Sequence, residues 1–224
     1  MIRDEVETIV INGWTIRQRS PVTGKPNSVI VMLHGWTGDE NAMWIFTSRM
    51  PENTRIISPR GLWHTKYGGF GWHKPISNRW PGIEDFSPAI NALQELLRHD
   101  TVLGSDFDQI NFVGFSQGAA LAFSYSLMRP EQVNTIVSLS GFLPEGSEKF
   151  VLGQPLLGKA IFLAHGTMDE LVPIEKARQT VQFLQAAGAS VTYCEDDVGH
   201  KLSASCFRGM ESFLSNRLSR PRSS

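Results

Sequence analysis

Apolar residues along the chain fall into two kinds of block. Short runs without polar alternation recur at 28–33 (SVIVML), 54–58 (TRIIS), 110–113 (INFV), 133–139 (VNTIVSL), 160–164 (AIFLA) and 190–194 (SVTYC). Runs of this length and β-branched content predict strands buried on both faces. Between them the spacing turns helical. Ile83, Phe86, Ile90, Leu93, Leu96 and Leu97 predict a helix over 83–99, and further helices are expected at 41–50, 117–128, 174–187 and 201–217. Residues 8–19 alternate around Asn12-Gly13, a strong signal for a two-residue hairpin turn. Strands alternating with helices predict an α/β fold: a mostly parallel sheet with helices on both faces, led by an antiparallel N-terminal hairpin. Ligands of such sheets gather beyond the carboxyl ends of the strands.

The punctuation is also informative. Residues 61–82 are rich in Gly, Trp and His and read as a long loop, a kind of segment that usually serves function inside a compact domain. Residues 141–158 read as an irregular connection. Residues 218–224 form a basic tail expected to fray. No linker or internal repeat interrupts the pattern, so one domain is expected over 1–224.

Hydrophobic residues make up 41% and charged residues 19%, the profile of a globular chain. The net charge of −1 gives no electrostatic pull towards nucleic acid. No apolar run approaches a membrane span, and the acidic start, MIRDEVE, has no apolar signal core. Cys194 and Cys206 could form one disulfide but make no framework, and are read as two free thiols. Together these point to a cytoplasmic protein.

Gly114-Phe115-Ser116-Gln117-Gly118 changes the picture most. This G-x-S-x-G lies between a predicted strand and a predicted helix, the context of a nucleophile elbow. A serine hydroxyl needs a base, and the base an orienting acid. After an elbow the chain order is Ser, then Asp or Glu, then His. Two histidines follow Ser116. His165 ends a strand ahead of any acid loop and reads as structural. His200 lies between the last strand and the last helix and is the expected base. Asp169, in HGTMDELVP (165–173), is the expected acid, with Glu170, Asp196 and Asp197 as rivals. The oxyanion of acyl transfer needs preorganised donors. Backbone N–H groups of Gln117 and of Trp36, in the His34–Asp39 loop, are the candidates. Trp63, Phe70, Trp72 and Trp80 crowd the 61–82 loop and are candidates for an apolar substrate wall. The P-loop-like stretch 153–159 (GQPLLGK) lacks the closing Ser or Thr and precedes a strand, which argues against nucleotide. The histidines and cysteines show no zinc spacing, so no metal is expected.

LHGWTGDE (33–40), SPRG (58–61), YGGFGWHK (67–74), GFSQGAALAF (114–123), SLSGFLP (138–144), HGTMDELVP (165–173) and VGH (198–200) together resemble the phospholipase/carboxylesterase family, which includes the acyl-protein thioesterases. The resemblance implies an α/β-hydrolase with little or no cap and cleavage of a small-molecule ester or thioester without a cofactor. It implies a triad of Ser116, Asp169 and His200, with Trp36 and Gln117 at the oxyanion hole. Family members often carry Leu where Trp36 stands and Trp-Phe-Asp where Trp72-His73-Lys74 stands. An open cleft predicts esters of small to medium acyl groups. A thioesterase or lysophospholipase with the same triad is the alternative, and a non-catalytic binding protein on a hydrolase scaffold the rival of another class.

Overall fold

Ten strands and four α-helices are built on residues 5–21, 24–77, 79–103, 107 and 109–218, the residues that the computed structural model describes. The strands β1 (Glu5–Ile11), β2 (Trp14–Ser20), β3 (Ser28–Leu33) and β4 (Thr54–Pro59) come first. A small pair, β5 (Trp63–His64) and β6 (Phe70–Gly71), interrupts the long loop. Then follow α1 (Ser87–Leu97), β7 (Ile110–Phe115), α2 (Gln117–Met128), β8 (Val133–Leu139), β9 (Ala160–Gly166), α3 (Ile174–Ala186), β10 (Ser190–Asp196) and α4 (Ala204–Leu218).

The large sheet has the order β1-β2-β4-β3-β7-β8-β9-β10. β1 and β2 pair antiparallel through the Asn12-Gly13 turn, and β2 meets β4 antiparallel. Asn12 (φ 48°) and Gly13 (φ 82°) both take left-handed backbone, as a tight hairpin turn that follows strand twist requires. All pairings from β4 to β10 are parallel.

A parallel strand covered on both faces must be apolar on both, and β3 shows the split. Val29, Val31 and Leu33 join the core beneath α1, α2 and α3, while Ile30 and Met32 join the core beneath α4. α2 runs at the centre and is buried along nearly its whole length. Its two interior serines are satisfied within the helix: Ser124 donates to the Ala120 carbonyl and Ser126 to the Ala122 carbonyl.

Some expectations shift. The 83–99 segment divides into a 3-10 turn (Ile83–Phe86) and α1, and the 41–50 helix shortens to a 3-10 turn, Trp44–Arg49. The irregular 141–158 stretch contains a 3-10 turn, Ser147–Gly153. Of the tail, Leu218 is packed at the end of α4, and 219–224 lie outside the described residues. Cys194 on β10 and Cys206 on α4 form a disulfide with a Cα–Cα distance of 5.7 Å, so the reading of two free thiols is corrected. The pair becomes adjacent only when α4 folds back against the sheet, which a 12-residue spacing does not reveal. With it goes the cysteine argument for a reducing compartment. Among the described residues no helix is long and apolar enough to cross a membrane.

Candidate active site

β7 lies mid-sheet between β3 and β8, and the chain reverses sharply where it ends. Ser116 sits on that turn at φ 52°, ψ −115°, a conformation few non-glycine residues adopt. Its N–H donates to the Leu139 carbonyl at 2.9 Å, which anchors the turn to β8. The flanking glycines are required by close approach. A Cβ at Gly118 would stand 2.1 Å from the Leu33 carbonyl oxygen, and one at Gly114 would stand 2.6 Å from the Ala119 nitrogen. The hydroxyl is thereby presented at the N-terminus of α2.

Asp169 follows β9, and its side chain is fully buried. Oδ1 accepts the N–H groups of Leu171 and Val172, both at 2.9 Å. Oδ2 lies 2.7 Å from His200 Nδ1. This directs a ring proton of His200 to the carboxylate and leaves Nε2 as its second reactive atom. The two loops are locked together: Met168 N–H donates to the Val198 carbonyl, and a Cβ on Gly166 would stand 2.1 Å from that same oxygen. The Phe115 ring lies 5.0 Å from the imidazole of His200.

The rival carboxylates are engaged elsewhere or face solvent. Asp196 takes the Ser205 hydroxyl, Asp197 the Thr167 hydroxyl, and Glu170 is exposed. His165 stands closer to the chemistry than a strand-end residue would. It donates from Nε2 to the Val172 carbonyl at 2.8 Å and lies 3.4 Å from Asp169 Oδ2. A carbonyl can only accept, so the proton is on Nε2, and buried Nδ1 has no partner among the described residues. Burial lowers the pKa of His165 and favours the neutral ring.

A second set of bonds holds the opposite wall. His34 is buried, with Nδ1 donating to the Gly35 carbonyl (2.7 Å) and Nε2 accepting the Gly61 N–H (2.8 Å). Burial lowers its pKa as well. Trp72 donates its indole N–H to the His34 carbonyl (2.7 Å) and its backbone N–H to Gln117 Oε1 (2.8 Å). These bonds tie the 34–38 loop, the 61–74 segment and the elbow into one unit. A Cβ on Gly35 would stand 3.4 Å from Ser116 Cβ, so the loop carrying Trp36 passes directly over the serine.

Two hollows flank Trp36. One, of about 620 Å³, is lined by Trp36, His73, Trp80, Ser116, Gln117 and Phe142 among others. The other, of about 410 Å³, is apolar and lined by residues including Met43, Ile45, Phe46, Phe115 and Leu202. Of the four aromatics expected at a substrate wall, Trp80 lines the cleft with Ser116. Trp72 is fully buried beneath it, held by its two hydrogen bonds. Trp63 is packed on the core opposite Gly71, and Phe70 lies under the Arg60 guanidinium, 4.8 Å away. These three do not line the Ser116 cleft. Trp36 itself lines the cleft and lies over Gly71, where a Cβ would stand 2.3 Å from its ring. His73, Phe142 and Val172 also line the cleft. Residue type alone did not mark them; the available signal was that they lie in the stretches YGGFGWHK, SLSGFLP and HGTMDELVP that carry the family resemblance.

The fold and this turn-loop-loop arrangement define an α/β-hydrolase. Residues 20–218 match the Phospholipase/Carboxylesterase family, and the chain belongs to that family. Acyl-protein thioesterase 1 of Saccharomyces cerevisiae is 31% identical over 179 residues, covering 70% of this chain and 76% of the yeast protein. A probable inactive carboxylesterase of Oryza sativa subsp. japonica is 28% identical over 121 residues, covering 53% of this chain and 49% of its own. The crystal structure of the Bacillus cereus carboxylesterase superposes with a TM-score of 0.79 at 20% identity, covering 92% of this chain and 95% of that one. The protein is thus an enzyme of the hydrolase class, of carboxylesterase type.

Proposed function

We propose that the protein is a serine hydrolase that cleaves carboxylic esters of small to medium acyl groups through an acyl-enzyme. The observation that carries this is the 2.7 Å bond from His200 Nδ1 to a buried carboxylate, Asp169, together with a sharp turn whose Ser116 lines a cleft and whose preceding residue, Phe115, lies with its ring 5.0 Å from the His200 imidazole. In this reading Ser116 attacks the ester carbonyl while His200 Nε2 takes its proton. Asp169 holds the imidazole and stabilises its cation. The N–H groups of Gln117 and Trp36 receive the oxyanion, and no protein acceptor among the described residues takes the Trp36 N–H. His200 then protonates the departing alcohol, and water repeats the cycle on the acyl-enzyme. No step calls on a cofactor.

A thioester or a lysophospholipid would meet the same groups, because the leaving group is selected by cleft shape. Hydrolysis of p-nitrophenyl esters of increasing chain length tests the acyl preference. Activity should peak at short to medium chains, and a maximum at long chains contradicts the proposal. We infer further that residues 1–224 work as one domain, without nucleic acid as a partner. The rice relative named inactive motivates the alternative of a binder. Ser116 should be labelled by a fluorophosphonate probe and Ser116→Ala should not; an unlabelled wild-type serine favours binding without catalysis.

A further inference from the structure

His73 lines the cleft among rings and prolines such as Trp36, Trp80 and Pro81, with Lys66, Ser77 and Arg79 also on the wall. The residue is only 7% exposed, and its ring is held on two sides. It stacks on the Trp36 indole with centroids 5.6 Å apart and planes 24° apart, and it meets the edge of Phe86 at 5.1 Å. Nδ1 lies 2.7 Å from the Lys74 carbonyl oxygen, which can only accept, so Nδ1 carries a proton in either charge state. Burial disfavours the cation, and in the neutral ring Nε2 is then a bare lone pair. Nε2 has no protein partner among the described residues, yet it is not among the atoms sealed from solvent. An oriented acceptor that no protein donor takes and that faces the cleft is matched by a donor that the occupant brings. A phenylalanine would fill the slot and keep both ring contacts but would offer no lone pair. Trp36, which carries His73 on its ring, is also the residue whose amide faces the oxyanion in the mechanism above.

We propose that His73 is a specificity-determining residue: its Nε2 accepts a hydrogen bond from a substrate hydroxyl, and the preferred substrates are esters bearing a hydroxyl group on the acid or on the alcohol. The inference rests on the esterase reading. Two substrate pairs test it, methyl lactate against methyl propionate and glycerol monobutyrate against propyl butyrate. The first places the hydroxyl on the acid, the second on the alcohol. In the wild-type enzyme kcat/KM should favour the hydroxylated member of one pair by about tenfold, the value of one added hydrogen bond. In His73→Phe that ratio should fall to about one, and His73→Gln, whose amide oxygen can accept, should keep part of it. His73→Leu replaces His73→Phe should the latter melt early. Ratios near one for both pairs in the wild type, or a preference surviving intact in His73→Phe, overturn the proposal. Absence of turnover on every ester with Ser116 unlabelled sinks the esterase reading instead, and this inference with it.

Discussion

At the scale of single residues, Asp169 shows how much geometry one carboxylate organises. Two backbone N–H groups fix Oδ1, while Oδ2 faces His200 and, further off, His165. An amide at this position still fills the space, but it can present N–H where the imidazole needs an acceptor. Asp169→Asn is therefore expected to fold normally and to lower kcat by roughly 10⁴-fold, read from steady-state kinetics beside a melting curve. Gly118→Ala should do the reverse. Its methyl would meet the Leu33 carbonyl at 2.1 Å, so the variant should lose at least roughly 3 kcal/mol in denaturant unfolding. The sharp turn at Ser116 and the pairing of Asp169 with His200 were legible because chain order and loop position constrain them. His165 was not: its reach to the acid depends on how the 165–172 loop folds back on itself. The three displaced aromatics were misplaced for a similar reason, since composition places them in a loop but not on a side of it.

At the scale of elements, strand runs and the Asn12-Gly13 hairpin were readable because burial on both faces and a tight turn each leave a local mark. The 3-10 turns were less so, as an apolar spacing shared by both helix types does not say which forms. The Cys194–Cys206 link was invisible, being a contact between a strand and a helix with the His200 loop between them. Closing a loop of that length removes denatured-chain entropy worth about 3 kcal/mol. Reduction, or the double variant Cys194→Ser with Cys206→Ser, should lower the melting temperature by roughly 6–12 °C in scanning calorimetry. An unchanged midpoint would mean the bond does not form in solution.

At the scale of the whole molecule, three buried histidines shape the response to acid. His34, His73 and His165 all have pKa values lowered by burial. Below pH about 6.5 the unfolded chain takes up protons that these rings refuse in the folded state. Stability should accordingly be flat in this respect above that pH. It should then fall as pH drops through it, by up to roughly 1.4 kcal/mol per unit for each histidine. Urea unfolding between pH 7.5 and 5.5 measures the slope. The arrangement of the sheet has another consequence. Ser116, the proposed nucleophile, follows β7 in the middle of the sheet, whereas His200, the proposed base, lies in the loop after β10, an edge strand. Margins of a sheet open before its centre does. Heating should silence the enzyme while its circular dichroism is still intact, and the gap between the two curves should widen once thiols are kept reduced.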